Sequence, residues 1–261
     1  SKELWFNVKS GLSAGRVQSP AVKILVDREK QRAKFVKNEY WSIEGNFKSK
    51  NGKIYAKLIS IDNQKVANGQ SFNRETGEIS SKNNILIDEK NAHSLIQSLK
   101  DKNWEVTDIQ KNPRTQNPYP PFITSTLQQE GIRKLRMNST QIMRVAQGLY
   151  ENGYITYMRT DSIHLSNEAL NASRSVIEKK YGPEYLPKSP RIYKGKAKNA
   201  QEAHEAIRPA GSSFQDPSSV KSKLSDIEYK VYELIWKRTV ASQMNPAKIE
   251  QTKLQIKSDN Y

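Results

Sequence analysis

The sequence predicts an α+β chain of more than one domain, in which a β region made of two separated pieces encloses an inserted helical unit. Three observations carry this. Apolar residues repeat with period two from Glu39 to Leu58 around an Asn51-Gly52 turn signal. From Ser125 to Met244 they recur at three- and four-residue steps behind helix caps, and Ile249, Leu254 and Ile256 then restore strand character. The boundaries that follow are a helical segment over 1–36, a discontinuous β region over 37–117 plus 245–261, and a helical domain over 118–244.

Composition narrows the partners. With 261 residues the chain holds about two domains and buries a real core. Its 43 Lys and Arg against 27 Asp and Glu give a net charge of +16, which points to a polyanion, nucleic acid before a membrane surface. No apolar run approaches the roughly 20 residues of a spanning helix, and no signal peptide opens the chain. The absence of cysteine excludes a disulfide framework and a zinc ribbon and suits a cytoplasmic protein.

The first segment reads as a helix that starts near Ser13 or restarts at Ser19-Pro20, a cap with proline in the first turn. Val17, Ala21, Ile24 and Leu25 give it a packing face. Arg16 then lies near a helix N-terminus, where backbone amides and a cation together favour a phosphate. Trp41, Ile43 and Phe47 next alternate with polar residues, and Ile54, Ala56 and Leu58 line one face of the return strand of a hairpin. Residues 62–84, rich in Asn, Ser, Gly and Lys, read as a long surface connection or hairpin excursion. A short helix with Ala92, Leu95, Ile96 and Leu99 on one face follows, with His93 an unpartnered surface residue. A strand containing Trp104, Val106 and Ile109 closes this half.

Four prolines between Asn112 and Pro121 mark a domain boundary. Beyond them Ser125 and Gln128 read as a capping box and Asn138 and Gln141 as a looser one, with a tight turn around Met137 between two helices. On the second, Ile142, Val145, Ala146, Leu149 and Tyr150 form the apolar face, and Gly153 supplies a left-handed cap. A helix pair followed by a strand suits a winged-helix-like unit whose wing bears Tyr157. Another helix spans Ser166 to Tyr181, with Leu170, Ile177 and Tyr181 on its buried side. The basic loop 183–198 interleaves Tyr185 and Tyr193 with cations, a composition that serves a nucleic-acid groove or a solvated loop equally. Asn199 and Glu202 cap a helix stopped by Pro209, on which His204 and Arg208 share a face while Ala200, Ala203 and Ile207 pack inward. The box Ser225-Asp226-Ile227-Glu228 opens a last helix running to about Met244, with Ile227, Val231, Leu234 and Ile235 as its stripe.

The chemistry centres on Gly153-Tyr154-Ile155-Thr156-Tyr157-Met158-Arg159-Thr160-Asp161-Ser162. If Tyr157 to Asp161 runs extended, Tyr157, Arg159 and Asp161 point the same way. A phenol that loses its proton can attack phosphorus, and a nearby arginine favours the phenolate and neutralises the phosphoryl oxygens. Asp161 would hold the arginine in place. The pattern alone also fits an exposed strand with an ordinary ion pair.

This stretch resembles the active-site signature of type IA DNA topoisomerases, enzymes that cut one strand through a 5′-phosphotyrosine, and is nearest to their bacterial topoisomerase I branch. Three further segments resemble the same family: Leu12-Ser13-Ala14-Gly15-Arg16-Val17-Gln18-Ser19-Pro20, Pro120-Pro121-Phe122-Ile123-Thr124-Ser125-Thr126-Leu127-Gln128, and Ala200-Gln201-Glu202-Ala203-His204-Glu205-Ala206-Ile207-Arg208-Pro209. The resemblance implies Tyr157 as nucleophile and Arg159 as stabiliser of the phosphotyrosine. It implies Arg16, Gln147, Glu151, Thr156, Asp161, His204 and Arg208 as site-forming or DNA-contacting residues. It also implies an antiparallel β arch carrying the inserted nucleophile domain, an ATP-independent isomerase of negatively supercoiled DNA with a single-stranded segment as substrate, and a cytoplasmic, nucleoid-associated location. In the family Mg²⁺ is held by an Asp-x-Asp-x-Glu cluster in a Toprim domain ahead of the Arg16 motif. No such cluster occurs here. The expectation is a gate-bearing fragment that takes no metal, binds single-stranded DNA and does not relax supercoils.

Two other classes use some of these residues. A tyrosine recombinase expects a His-x-x-Arg pair upstream of its nucleophile, whereas His204 and Arg208 are four apart and downstream. A non-catalytic helix-turn-helix DNA-binding protein would read bases from its second helix, which here offers only Gln141, Arg144 and Gln147.

Overall fold

The structure, a computed structural model, describes residues 2–11, 15, 17–49, 52–81, 83–193 and 205–261. The chain is a mixed α/β protein with two compact units, Ser1–Lys111 with Thr252–Tyr261, and Asn112–Gln251. Among the described residues the strands form three two-stranded sheets.

The first unit opens with α1 (Lys2–Asn7) and α2 (Gln18–Lys34). Val17 occupies the N-cap of α2 with no side-chain bond, so Ser19 lies inside the helix instead of capping it, while Pro20 does fall in the first turn. The expected packing face is not covered: no described residue of α2 is buried, and Ile24 and Leu25 are exposed. The hairpin of β1 (Glu44–Ser49) and β2 (Gly52–Lys57) is antiparallel, with Phe47 opposite Ile54 and Gly45 opposite Ala56 on its half-buried face. Phe47 meets the ring of Trp104 edge-on at 5.3 Å. Ser49 pairs with Gly52, so Gly52 belongs to the return strand, and Lys50 and Asn51 lie outside the described residues.

The stretch 62–84, expected as a surface connection or hairpin excursion, begins at a hairpin turn. β3 (Ser60–Ile61) and β4 (Gln64–Lys65) are joined by Asp62 and Asn63, both left-handed at φ 49° and 62°, the conformation a two-residue hairpin turn requires. Val66 then bridges Ile85, Phe72 bridges Ile79, and the Asn73 side chain accepts from the amides of Glu75 and Thr76. Local Asn turns thus satisfy a backbone that has few ladder partners. Gly77 sits at φ 78°, and a Cβ there would lie 2.0 Å from the Val36 carbonyl oxygen. Gly77→Ala is therefore expected to destabilise this unit by about 2–3 kcal/mol or to displace the segment, read as a lowered melting temperature together with faster proteolysis between residues 66 and 87.

Helix α3 (Glu89–Leu99) is capped by Asp88, which accepts from the Asn91 amide. Ala92 is buried with Ile61, Val66 and Ile87, Leu95 packs on this cluster, and Ile96 stays exposed. His93 is exposed but has a partner after all, the Trp41 ring at 6.0 Å. β5 (Glu105–Gln116) pairs with β6 (Ala247–Lys257), so one ribbon carries the chain out of the first unit and back into it. β5 runs through Pro113, which a two-stranded ribbon tolerates because each strand keeps a free edge.

The second unit holds α4 (Thr124–Leu135), α5 (Ser139–Glu151), α6 (Asn167–Lys180), α7 (Pro217–Val220) and α8 (Asp226–Ser242). Its core joins Leu127 of α4, Ile142, Ala146 and Leu149 of α5, Ile177 of α6, and Val231 and Ile235 of α8, all essentially inaccessible. Each of these side chains other than Ala146 contributes roughly 1.5–3 kcal/mol by leaving water. The caps at Asn138–Gln141 and Ser225–Glu228 form reciprocally, as their spacing demands. Ser125 and Gln128 form no box, because Ser125 is already helical and the Ile123 amide donates to Thr126 Oγ1 instead. On α8, Tyr232 and Trp236 turn inward and Ile227 outward, a rotation from the expected stripe. Tyr181, at the C-cap of α6, is exposed where burial was expected. No helix among the described residues is long and apolar enough to cross a membrane.

Candidate active site around Tyr157

Three separated stretches meet in the second unit, and backbone hydrogen bonds hold them together. α5 ends at Gly153, whose φ of 73° lets its amide reach the Tyr150 carbonyl and the Tyr154 amide reach that of Leu149. The chain that leaves this cap is sewn to residues 206–210. Ile155 bridges Pro209, the Thr156 amide donates to the Arg208 carbonyl at 2.9 Å, and the Ala210 amide donates to that of Tyr154. The start of α4 supplies the third stretch: Phe122 bridges Ile207, and the Thr124 amide donates to the Thr160 carbonyl.

Between these ties burial alternates. Tyr157, Arg159 and Asp161 are exposed, and Met158, Thr160 and Ser162 are buried. The alternation expected for these three candidate side chains therefore appears, although the segment is not a strand of any sheet among the described residues. Tyr157 is 44% exposed and lies edge-on to the ring of Tyr150 at 5.2 Å. Its hydroxyl forms no hydrogen bond among the described residues.

Arg159 was expected to be held by Asp161, and it is not: no ion pair joins them. An exposed pair of this kind is worth only about 0–1 kcal/mol, which the freedom of two side chains offsets. The guanidinium consequently has no protein acceptor among the described residues and is open to an anion. Gln147 and Glu151, one turn apart on α5, bond to each other at 2.6 Å.

Two expected DNA contacts are occupied internally. The Thr156 hydroxyl donates to the Ala206 carbonyl at 2.8 Å and accepts from the Arg208 amide at 3.0 Å. Arg208 is 6% exposed; its Nε and Nη2 donate to the two oxygens of Glu205 at 2.8 and 2.9 Å, and its Nη1 donates to the Pro209 carbonyl at 2.8 Å. A buried guanidinium must be paired, and this pairing uses the donors a phosphate would need. Burial pushes the Glu205 carboxyl up, but Arg208 and the Ser166 amide outweigh it and hold the group below the usual carboxylate range. Residues 205–209 are not helical; their bonds to Phe122 and Thr156 override the local helical pattern. His204, the Asn199 and Glu202 cap, and Arg16 lie outside the described residues.

The loop 183–193 divides as well. Tyr193 is half-buried, with its hydroxyl within 2.8 Å of the Ser242 carbonyl and 3.1 Å of that of Pro118, and burial raises its pKa. Arg191 donates to the Met244 carbonyl at 2.8 Å. These two residues fasten the loop and offer no stacking platform, whereas Tyr185 remains exposed.

One residue escaped the sequence reading. Thr124 Oγ1 lies 2.8 Å from the Met158 carbonyl and accepts from the Thr160 amide at 2.9 Å. It belongs to the Pro120–Gln128 motif, but nothing local signals a partner so far along the chain. Among the described residues no group of three or more His, Asp or Glu side chains is placed to hold a metal ion.

Comparison with known proteins places the chain. The family profile described as DNA topoisomerase matches residues 1–261. The chain is 47% identical over 258 residues to DNA topoisomerase 1 of Synechococcus elongatus, covering 98% of this chain and 29% of that protein. It is 48% identical over 256 residues to DNA topoisomerase 1 of Mycolicibacterium smegmatis, covering 95% of this chain and 27% of that protein. The solved structure of full-length topoisomerase I from Thermotoga maritima superimposes with a TM-score of 0.68 at 34% identity, covering 97% of this chain and 38% of that one. The chain thus spans under a third of the length of these two curated relatives.

Proposed function

The chain belongs to the type IA, bacterial topoisomerase I family of DNA topoisomerases, and from that premise we propose that it is the part of such an enzyme that carries the nucleophile. Tyr157 Oη attacks a phosphodiester of one DNA strand. The new O–P bond replaces the bond to the 3′ oxygen, the phenolic proton is lost to a base, and the departing oxygen takes up a proton to become a 3′ hydroxyl. The strand stays joined to the protein through a 5′-phosphotyrosine. Attack by the hydroxyl reverses the step after another strand has passed, so no nucleotide hydrolysis is needed.

The observation that carries this reading is an exposed tyrosine with no hydrogen bond to its hydroxyl among the described residues, two residues from an arginine that has no protein acceptor among them. They lie on a segment whose backbone is tied down on both sides. Arg159 is the group that neutralises the phosphoryl oxygens. Gln147, Glu151 and Asp161 border the attacked phosphate, and Arg16 and His204 contact the DNA.

The helical unit acts as a winged-helix-like domain, and the discontinuous β region of 37–117 and 245–261 acts as the arch that lets it swing, with 1–36 part of the base of a toroid. Its place is the nucleoid. Because the chain covers under a third of its curated relatives, relaxation requires the remainder of the enzyme, including the Toprim domain that holds Mg²⁺. The isolated chain is therefore expected to retard single-stranded DNA in a gel, with binding that weakens as salt rises, and to leave negatively supercoiled plasmid unrelaxed in the presence of Mg²⁺. Efficient relaxation by the isolated chain would overturn the fragment reading, and failure to bind single strands would overturn the reading as a DNA gate.

A further inference from the structure

We infer that Thr124 is a positioning residue for strand cleavage, a reading that rests on Tyr157 being the nucleophile. From Tyr157 to Thr160 the segment has no sheet partner among the described residues, so its shape depends on whatever bonds its peptide groups. One hydroxyl does this twice. Thr124 Oγ1 donates to the carbonyl of Met158 at 2.8 Å, directly after the nucleophile, with the Thr160 carbonyl a longer alternative acceptor at 3.1 Å, and it accepts from the amide of Thr160, directly after the arginine. A hydroxyl has one proton and two lone pairs, so both bonds form together. Thr124 also donates its own amide to the Thr160 carbonyl.

The backbone of Arg159 is therefore clamped on both sides, starting one residue after Tyr157, from outside the segment by the first residue of α4. α4 is itself anchored by Leu127 in the core. Among the described residues neither side chain has a bond of its own that would restore this geometry. Thr124 touches neither DNA nor the reacting atoms in this account; it acts through the peptide groups on which they are mounted. Loss of a reacting group's position by about 1 Å is enough to cost on the order of 100-fold in rate.

The test is single-turnover cleavage of an end-labelled single-stranded oligonucleotide by the full-length protein, with the covalent adduct trapped by denaturant. Thr124→Val keeps the shape and removes both bonds; Thr124→Ser keeps the hydroxyl. The expected result is a roughly 10- to 100-fold slower cleavage for Thr124→Val, oligonucleotide affinity within about threefold of the unaltered protein, and most of the rate restored in Thr124→Ser. Cleavage by Thr124→Val within about threefold of the unaltered rate overturns the proposal. So does a loss shared equally by Thr124→Ser, or one in which affinity falls as far as rate. Should Thr124→Val not fold, hydrogen exchange at the Thr160 amide of the unaltered protein decides instead, with protection supporting the proposal and free exchange overturning it. An adduct that survives in a Tyr157→Phe control strikes the nucleophile assignment itself, and is thereby distinguished from failure of the Thr124 step alone.

Discussion

Tyr157→Phe in the full-length protein is expected to abolish the denaturant-trapped adduct, by at least roughly four orders of magnitude, since removal of a nucleophile leaves only binding and electrostatic effects behind. The structure makes this substitution a clean one. The lost hydroxyl has no hydrogen bond among the described residues, the ring is partly exposed, and its edge contact with Tyr150 needs no oxygen. Melting temperature should be nearly unchanged, because substitutions that break no packed or bonded contact stay within about 0.5 kcal/mol. The end to which the protein attaches separates the chemistries that use a tyrosine. A 5′ adduct is the type IA outcome, a 3′ adduct belongs to the recombinase class, and an unaltered protein with no adduct at all is a DNA-binding protein without cleavage.

Glu205→Ala is expected to produce the largest loss of stability. It strands the Arg208 guanidinium, which is 6% exposed and donates two of its hydrogen bonds to that carboxylate. Removing one partner of a buried ion pair costs about 3 kcal/mol or somewhat more. For a unit of this size that lowers the calorimetric midpoint by roughly 6–12 °C. The segment bonded to Tyr154 and Thr156 should loosen with it, so adduct formation should fall as well.

Acid gives a second reading of the same pair. Glu205 is held below the ordinary carboxylate range, so its contribution is complete above the unfolded value of about 4.3 and is lost as pH falls through the lower folded value. Asp216 and Glu130, depressed chiefly by hydrogen bonds from Lys180 and Lys134, act in the same direction. Glu205→Ala should therefore show a shallower loss of stability between pH 7 and pH 3 than the unaltered chain; an equal slope would assign the acid sensitivity to the other carboxylates.

The features legible in the sequence were those set by neighbours in the chain. Asn138 with Gln141, Ser225 with Glu228, and Gly153 each declare a helix end within four residues, and each forms as read. The exposed positions of Tyr157, Arg159 and Asp161 followed from alternation alone. Long-range bonding decided the rest. Ala206-Ile207-Arg208 has helical spacing, yet Phe122 and Thr156 draw it into an extended form, and Arg208 is consumed by a carboxylate that the pattern placed on the same helix only as a bystander. Thr124 looked like one more hydroxyl near a helix start, and its partners lie more than thirty residues away. The stretch 62–84, read as a surface connection or hairpin excursion, does begin at a hairpin turn; what the pattern did not show is the asparagine side chains that bond nearby amides further along it.

The ribbon of β5 and β6 has a consequence for biosynthesis. β5 leaves the ribosome with its hydrogen-bonding edge open, and its mate from Ala247 onward is not made until the whole intervening helical unit has been translated. During that interval a lone strand invites pairing with a neighbouring chain. Lys111, Pro113 and Arg114 lie together within β5, two like charges flanking a residue that cannot donate to a ladder, and so they guard the nascent polypeptide against aggregation until the insert has folded and brought the second strand home.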